Sequence, residues 1–294
     1  MRHLPATPSF PVNSPIFFDS HMHTPLCKHA EGHPVRYMEE GVANGFAGII
    51  MTCHSPMPNG FSGRVRMSPD QFEEYVAMVG EARDAAPEGF EVLLGLESDF
   101  FPGMEDWLRE LHDRADFHYI LGSVHWHLGE YMDRYWRGDP LAFQKQYFEH
   151  LAESAELGLF DCLAHPDLVK NASPSDWDFE RIRPWIEKAL DRIAATGVAM
   201  EINTSGLSKS YPEMNPGPEM LAMMGERGIP VVIGSDSHIP TRVGDGFFEA
   251  LRALQLAGYD SVSVFRNRER REIPISLARA SLESGALAGA RRWD

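Results

Sequence analysis

Short apolar runs alternate with longer amphipathic stretches along this chain. Seven runs have the length and composition of strands: IFFDSH at 16–21, FAGIIMTCH at 46–54, FEVLLGLE at 90–97, FHYILGSVH at 117–125, LFDCLAH at 159–165, GVAMEIN at 197–203 and IPVVIGSDSH at 229–238. Between them, residues 70–86, 104–114, 140–157, 178–196 and 216–227 carry apolar positions at helical spacing. Ser68-Pro69 followed by Asp70, and Asp178, read as helix starts. Strand–helix alternation predicts parallel strands joined by helical crossovers, an α/β fold. Seven units suggest a closed, TIM-like barrel more than an open sheet. SVSVF at 261–265 reads as an eighth, imperfect unit, and the tail LARASLESGALAGARRWD as a last helix that then frays. Residues 1–15, rich in proline, read as an irregular arm, and 16–294 as a single barrel domain without internal repeat or linker.

The strand ends are where the polar residues become informative. His21, His23, His54, Glu97, His125, His165, Asp236 and His238 each sit at the end of an apolar run or just past it. In barrel enzymes the chemistry lies at the C-terminal ends of the strands. Extended chain puts residues i and i+2 on one face, so His21 with His23, Glu201 with Asn203, and Asp236 with His238 point together. Asp19 could join the first pair from one layer below. One His-x-His is a weak signal. A second at His125-Trp126-His127 and an Asp-x-His on the last run make the array a strong sign of two or three metals. Imidazole and carboxylate suit zinc, manganese and iron. A carboxylate such as Glu97 can bridge two ions, and ions so bridged lower the pKa of bound water and favour hydroxide near neutral pH.

Composition narrows the partners. The 294 residues carry a formal net charge of −16, which argues against a nucleic-acid backbone as partner. A phosphorylated small molecule is still compatible, because bound metals reverse the local field. Three cysteines fit a reducing compartment without a disulfide framework. Cys53 and Cys162 read as core; Cys27 reads as packing under its loop, with a soft metal ligand as the alternative. No run of apolar residues is long enough to span a bilayer and no signal core precedes the barrel, so the expected location is cytoplasmic. Oligomeric state is not readable.

The segments FDSHMHTPLCKHAEG at 18–32, MTCH at 51–54, GLESDFFPG at 95–103, LGSVHW at 121–126, LAHPDLVK at 163–170, EINTSG at 201–206 and GSDSHIP at 234–240 resemble the polymerase-and-histidinol-phosphatase (PHP) superfamily. The opening HMHTPLCKHA resembles the HTHTxFCxHA of monofunctional histidinol-phosphate phosphatases. The resemblance implies a distorted seven-stranded barrel with three divalent ions, zinc, manganese or iron. It implies that His21, His23, Glu97 and Asp236 hold the first ion. Glu97, His125 and His165 would hold the second, and His29, His54 and His238 the third. All nine positions are filled in this chain.

The implied reaction is hydrolysis of L-histidinol phosphate to L-histidinol and inorganic phosphate, by a metal-activated hydroxide attacking phosphorus, in histidine biosynthesis. Glu97 would act catalytically as the bridge, and Asp236 or His238 would relay a proton to the leaving oxygen. Lys170, Lys209 and Arg242 are candidate phosphate-binding cations. The resembling phosphatases often carry GLRK after EINT(S/A); here Ser208 stands in place of the arginine, in Gly206-Leu207-Ser208-Lys209. Glu201 and Asn203 would orient imidazoles or face the substrate amine across an anionic rim. His127, with Trp126 and Phe100, would wall the imidazole end. The alternatives are a phosphoesterase of the same fold acting on another small monoester or a nucleotide, an amidohydrolase-like barrel, and a non-enzymatic metal-dependent scaffold, which a loss of ligands would mark and the filled positions disfavour. Amidohydrolase-like barrels commonly use a bridging lysine in mid-barrel, where this chain has Glu97.

Overall fold

The computed structural model describes residues 16–290. Seven parallel strands run in chain order around a barrel: Phe18–Asp19 (β1), Gly48–Met51 (β2), Glu91–Asp99 (β3), Tyr119–Ser123 (β4), Cys162–Leu163 (β5), Ala199–Asn203 (β6) and Val231–Gly234 (β7). Each pairs in parallel with the next. Every residue of β2, β4, β6 and β7 is buried, as expected of strands covered on one face by helices and on the other by the barrel interior. Six of the seven apolar runs contain their strand whole, and β3 runs two residues past its run, to Asp99. The other six strands are shorter than their runs because the chain leaves regular pairing at the C-terminal rim, where the polar residues sit.

The last strand returns to the first at that rim. Met22 and Ser237 form a parallel bridge. His23 N donates to Ser237 O at 2.9 Å, and Ser237 N to His21 O at 3.2 Å. Asp19 reinforces the seam. Its Oδ1 accepts from Ser235 N at 3.1 Å and its Oδ2 from Gly244 N at 2.8 Å. Burial pushes the Asp19 carboxyl up to about 6 despite these bonds. Asp19 therefore clamps β1 to the chain after β7 and does not join the histidine pair above it.

The helices Pro34–Ala43 (α1), Phe72–Ala85 (α2), Glu105–His112 (α3), Gly129–Tyr135 (α4), Pro140–Glu156 (α5), Phe179–Thr196 (α6), Pro218–Glu226 (α7) and Phe247–Leu256 (α8) lie between and after the strands. The five amphipathic stretches of the sequence correspond to α2, α3, α5, α6 and α7. Asp178 caps α6 through Arg181 N at 3.1 Å, and Gly197 ends it in the left-handed region. At the start of α2 the box is closed by Gln71, whose Oε1 accepts from Ser68 N at 3.1 Å. Helices α1, α4 and α8 escape the sequence reading. In α1, Gly41 replaces an apolar side chain because a Cβ there would come within 2.8 Å of Phe90 and 2.9 Å of Ile49.

The run at 261–265 is not an eighth barrel unit. Ser261–Arg266 (β8) pairs antiparallel with Glu269–Pro274 (β9) as a separate hairpin, followed by a helix over Ile275–Ala290 (α9). The expected fraying end at 291–294 and the arm at 1–15 lie outside the described residues. The hairpin packs against the barrel: Phe265 joins Ile50, Leu93, Tyr119, Leu121, Ala199 and Val232 in one apolar cluster. Its ring centroid is 5.3 Å from that of Tyr119, and Arg268 N donates to His118 O at 2.9 Å. Among the described residues no helix is long and apolar enough to cross a membrane.

Because Phe265 is a nearly buried plug, Phe265→Ala is expected to lower unfolding stability by about 3–5 kcal/mol, read from the denaturant midpoint at unchanged slope. Metal uptake at the opposite end of the strands should be unaffected.

Candidate metal centre

The C-terminal rim gathers the nine donors that the sequence marks. Glu97 stands at their centre, fully buried within β3. Its two oxygens face different histidines. Oε1 lies 3.0 Å from His165 Nε2 and 3.4 Å from His125 Nε2. Oε2 lies 2.6 Å from His54 Nδ1, 3.7 Å from His21 Nε2 and 3.8 Å from His23 Nε2. Asp236 Oδ1 closes the other side, 3.1 Å from His23 Nε2 and 3.7 Å from His21 Nε2. His29 and His238 meet at the mouth, with their Nε2 atoms 3.0 Å apart.

Several of these imidazoles are held by their outer nitrogen. His21 Nδ1 lies 2.7 Å from Glu201 Oε1, and His125 Nδ1 lies 2.5 Å from Asp99 Oδ1. His29 Nδ1 lies 2.7 Å from Cys27 O, and His238 Nδ1 3.0 Å from Asp236 O. Each acceptor suits a proton on Nδ1 and turns Nε2 inward, the arrangement that metal-binding histidines need once Nε2 has lost its own proton. Among the described residues, His21 Nε2 is buried without a hydrogen-bond partner, and His54 Nδ1 and Glu97 Oε2 face each other at 2.6 Å without hydrogen-bond geometry. Unpartnered buried polar atoms are costly, and a cation among them removes that cost. Groups of three donors converge within 4.8 Å, including His21 with His23 and Asp236, and His54 with Glu97 and His125. The donor set of imidazole and carboxylate fits zinc, manganese or iron.

Strain and charge mark the same place. His165 and Asp236 adopt positive φ, 28° and 51°, a costly conformation for side chains of this kind. Burial opposes the charge of Glu97, yet His54, His125 and His21 hold its carboxyl well below the usual range. Asp236 is likewise held down, by Lys209 and His21 against its burial. Burial would lower His21 and His23, but the facing carboxylates win; His21 lies well above its ordinary value and His23 is pushed up to about 9.

A cavity of about 710 Å³ opens above the cluster. Lys209 and Arg242 line it, as do His127 and Trp126. Lys209 Nζ bonds to Ser205 Oγ and to Asp236 Oδ2, the latter at 3.3 Å. Arg242 donates to Ser208 Oγ at 3.2 Å and pairs with Asp245 at 3.2 Å. His127 is exposed on the cavity wall, where desolvation by the site and the neighbouring His125 push its imidazole down, towards the neutral form.

Other sequence expectations are displaced. Lys170 is fully buried and away from the cavity lining, bonded to Asp167 and Glu213 at 2.9 Å each and to Met214 O at 2.6 Å. It ties the chain after β5 to the segment before α7. Glu201 and Asn203 are buried beneath the donors. Glu201 also accepts from His165 N at 2.9 Å and from Asn203 Nδ2 at 3.0 Å. They orient the histidines and form no anionic rim; among the described residues Asp236 is the one acid on the cavity wall. Phe100 is packed in the core, outside the lining. Cys53 is buried as expected but accepts from Thr24 Oγ1 at 3.2 Å, and it clusters with Cys27 and His23. The sequence reading misses Asp99, Ser205 and Arg66. Asp99 was findable, since it lies two residues beyond Glu97 on the same face of an extended strand.

A parallel barrel carrying a buried imidazole–carboxylate cluster at its C-terminal rim defines a metal-site protein of the TIM-like class. Residues 19–205 match the PHP domain model, and the chain belongs to the PHP domain family. It is 36% identical over 258 residues to a protein of Deinococcus radiodurans named probable histidinol-phosphatase, covering 85% of this chain and 97% of that one. It is 26% identical over 255 residues to the histidinol-phosphatase of Bacillus subtilis, covering 77% and 95%. The fold matches the crystal structure of histidinol phosphate phosphatase from Lactococcus lactis in complex with zinc, L-histidinol and phosphate. That match has a TM-score of 0.72 at 21% identity and covers 87% of this chain and 98% of that one.

Two outcomes follow from the geometry. Glu201→Ala removes the acceptor behind His21 and should weaken metal binding about 10- to 100-fold, measured by competition with a chromophoric chelator. Metal addition to the metal-free chain at pH 7 should release protons into unbuffered solution. His21 and His23, raised above their ordinary values, are protonated there, and only the deprotonated rings bind metal. Apparent metal affinity should therefore rise with pH from 7 towards about 9.

Proposed function

We propose that this chain is a metal-dependent phosphate monoester hydrolase whose substrate is L-histidinol phosphate. The observation that carries the reading is the complete set of nine donors, in a chain alignable along nearly the whole length of the Deinococcus and Bacillus histidinol-phosphatases. Three divalent ions would be held by His21, His23, Glu97 and Asp236; by Glu97, His125 and His165; and by His29, His54 and His238. The split of the Glu97 oxygens supports its bridging role, since Oε1 faces His125 and His165 while Oε2 faces His21 and His23. His54 lies nearer to Glu97 than a purely outer role requires, and it links the second and third groups. Bound ions would supply hydroxide at neutral pH and neutralise charge on the phosphoryl group.

The chain's own residues do the rest. Lys209 and Arg242 present positive charge to a phosphate from the β6 and β7 loops. The bond from Arg242 to Ser208 brings a guanidinium to the residue that replaces the arginine of the resembling phosphatases. Val65, Trp126, Leu128 and Leu168, with the neutral His127, make the wall that suits the organic end of the substrate. Apolar walls with a few placed polar groups are the usual make-up of a small-molecule site. His238 lies on the cavity wall, whereas Asp236 is occupied by His23, Lys209 and Ser205. A proton bound for the leaving oxygen comes from one of these two.

Steady-state phosphate release from L-histidinol phosphate by manganese-loaded protein, beside a panel of small monoesters and nucleotides, tests the reading. The expected result is a kcat/KM at least about 100-fold above any other substrate, about 2.7 kcal/mol of discrimination. Chelation or Glu97→Ala should abolish turnover. Turnover of the panel without turnover of histidinol phosphate would keep the chemistry and replace the substrate.

A further inference from the structure

Arg66 sits in the segment between β2 and α2, only 1% exposed, yet on the wall of the cavity. Its Nη1 donates to Ser55 O at 2.9 Å and to Asp99 Oδ2 at 2.6 Å. Its Nε is buried without a hydrogen-bond partner among the described residues. Asp99 has little left to offer, because its Oδ1 is engaged by His125 Nδ1. A guanidinium carries five donors in a fixed plane and never loses its charge. Burying it with donors unfilled is unfavourable unless an acceptor arrives. Among the described residues no acid on the cavity wall is left to take it, since Asp236 is bound by Lys209 and His23.

Arg66 approaches from a different sector than the other two cations. Its anchors are Ser55, beside His54, and Asp99, the partner of His125. Lys209 and Arg242 come from the loops after β6 and β7, beside Asp236 and His238. We propose that Arg66 is a substrate-binding residue whose unfilled guanidinium edge holds a non-bridging phosphoryl oxygen from the β2–β3 sector of the rim. The planar fork suits phosphate, which a lysine meets only as a point charge. This inference rests on the phosphatase reading above.

Equilibrium binding of inorganic phosphate, and separately of L-histidinol, to manganese-loaded parent, Arg66→Lys and Arg66→Gln tests it, with bound metal quantified in each. Arg66→Lys keeps a charge beside Asp99, so it decides the matter even if Arg66→Gln fails to fold. The expected result is phosphate binding weakened about 10-fold or more in both variants, with L-histidinol affinity and metal content at parental values. Parental phosphate affinity in Arg66→Lys overturns the inference, as does equal loss of both ligands or of metal, which would make Arg66 a brace for Asp99 alone. A parent that binds phosphate but does not turn over L-histidinol phosphate overturns the named substrate and leaves the Arg66 result readable. A parent that binds no phosphate overturns both.

Discussion

A carboxylate with no access to water has to be neutralised where it stands, and the architecture of this rim follows from that constraint on Glu97. Desolvating an unpaired carboxylate costs several kcal/mol even after relaxation, at the order-of-magnitude level. Glu97 meets it by surrounding itself with His21, His23, His54, His125 and His165, drawn from the ends of four other strands. Those imidazoles cannot wander either. Glu201 and Asp99 hold two of them from behind, and Arg66 and Asn203 hold those carboxylates in turn. The site is thus layered, with a central anion, a histidine shell and an outer set of carboxylates that fix ring orientation.

Much of this was legible in the chain because strands are local. An apolar run with a polar residue at its end specifies both the barrel and the rim, so the donors could be named before any fold was seen. Lys170 shows where that logic stops. Its distance in sequence from His165 puts it near the rim, but its direction is set by Asp167 and by Glu213 and Met214, more than forty residues on. Arg66 was invisible for the same reason, since nothing in VRMSPDQ announces that the chain turns back over the cavity onto Asp99. The hairpin at 261–274 misled because an apolar strand looks the same whether it joins a parallel barrel or plugs one. Glycines such as Gly41 hid a helix by replacing the apolar residue that its pattern required.

The cavity reverses the character of the whole molecule. A chain of net charge −16 gathers Lys209, Arg242 and the buried Arg66 around its cavity, where Asp236 is the one acid among the described lining residues. The cations of the cavity stand out against the overall negative charge. The opposite wall is apolar. The division matches a molecule with a charged head and a planar, weakly polar tail.

The closing seam has a consequence in time. His23 and Asp236 are separated by 213 residues, yet they lie in contact across the first and last strands. On a ribosome making about 5–20 residues per second, the first donors wait on the order of 10–40 s for their counterparts to emerge. Through that interval the nascent chain holds half of a coordination sphere and an open barrel edge beside β1. The group that joins His21 and His23 to Asp236 is therefore completed only once the seventh strand has been translated, whereas Glu97, His125 and His165 can meet earlier.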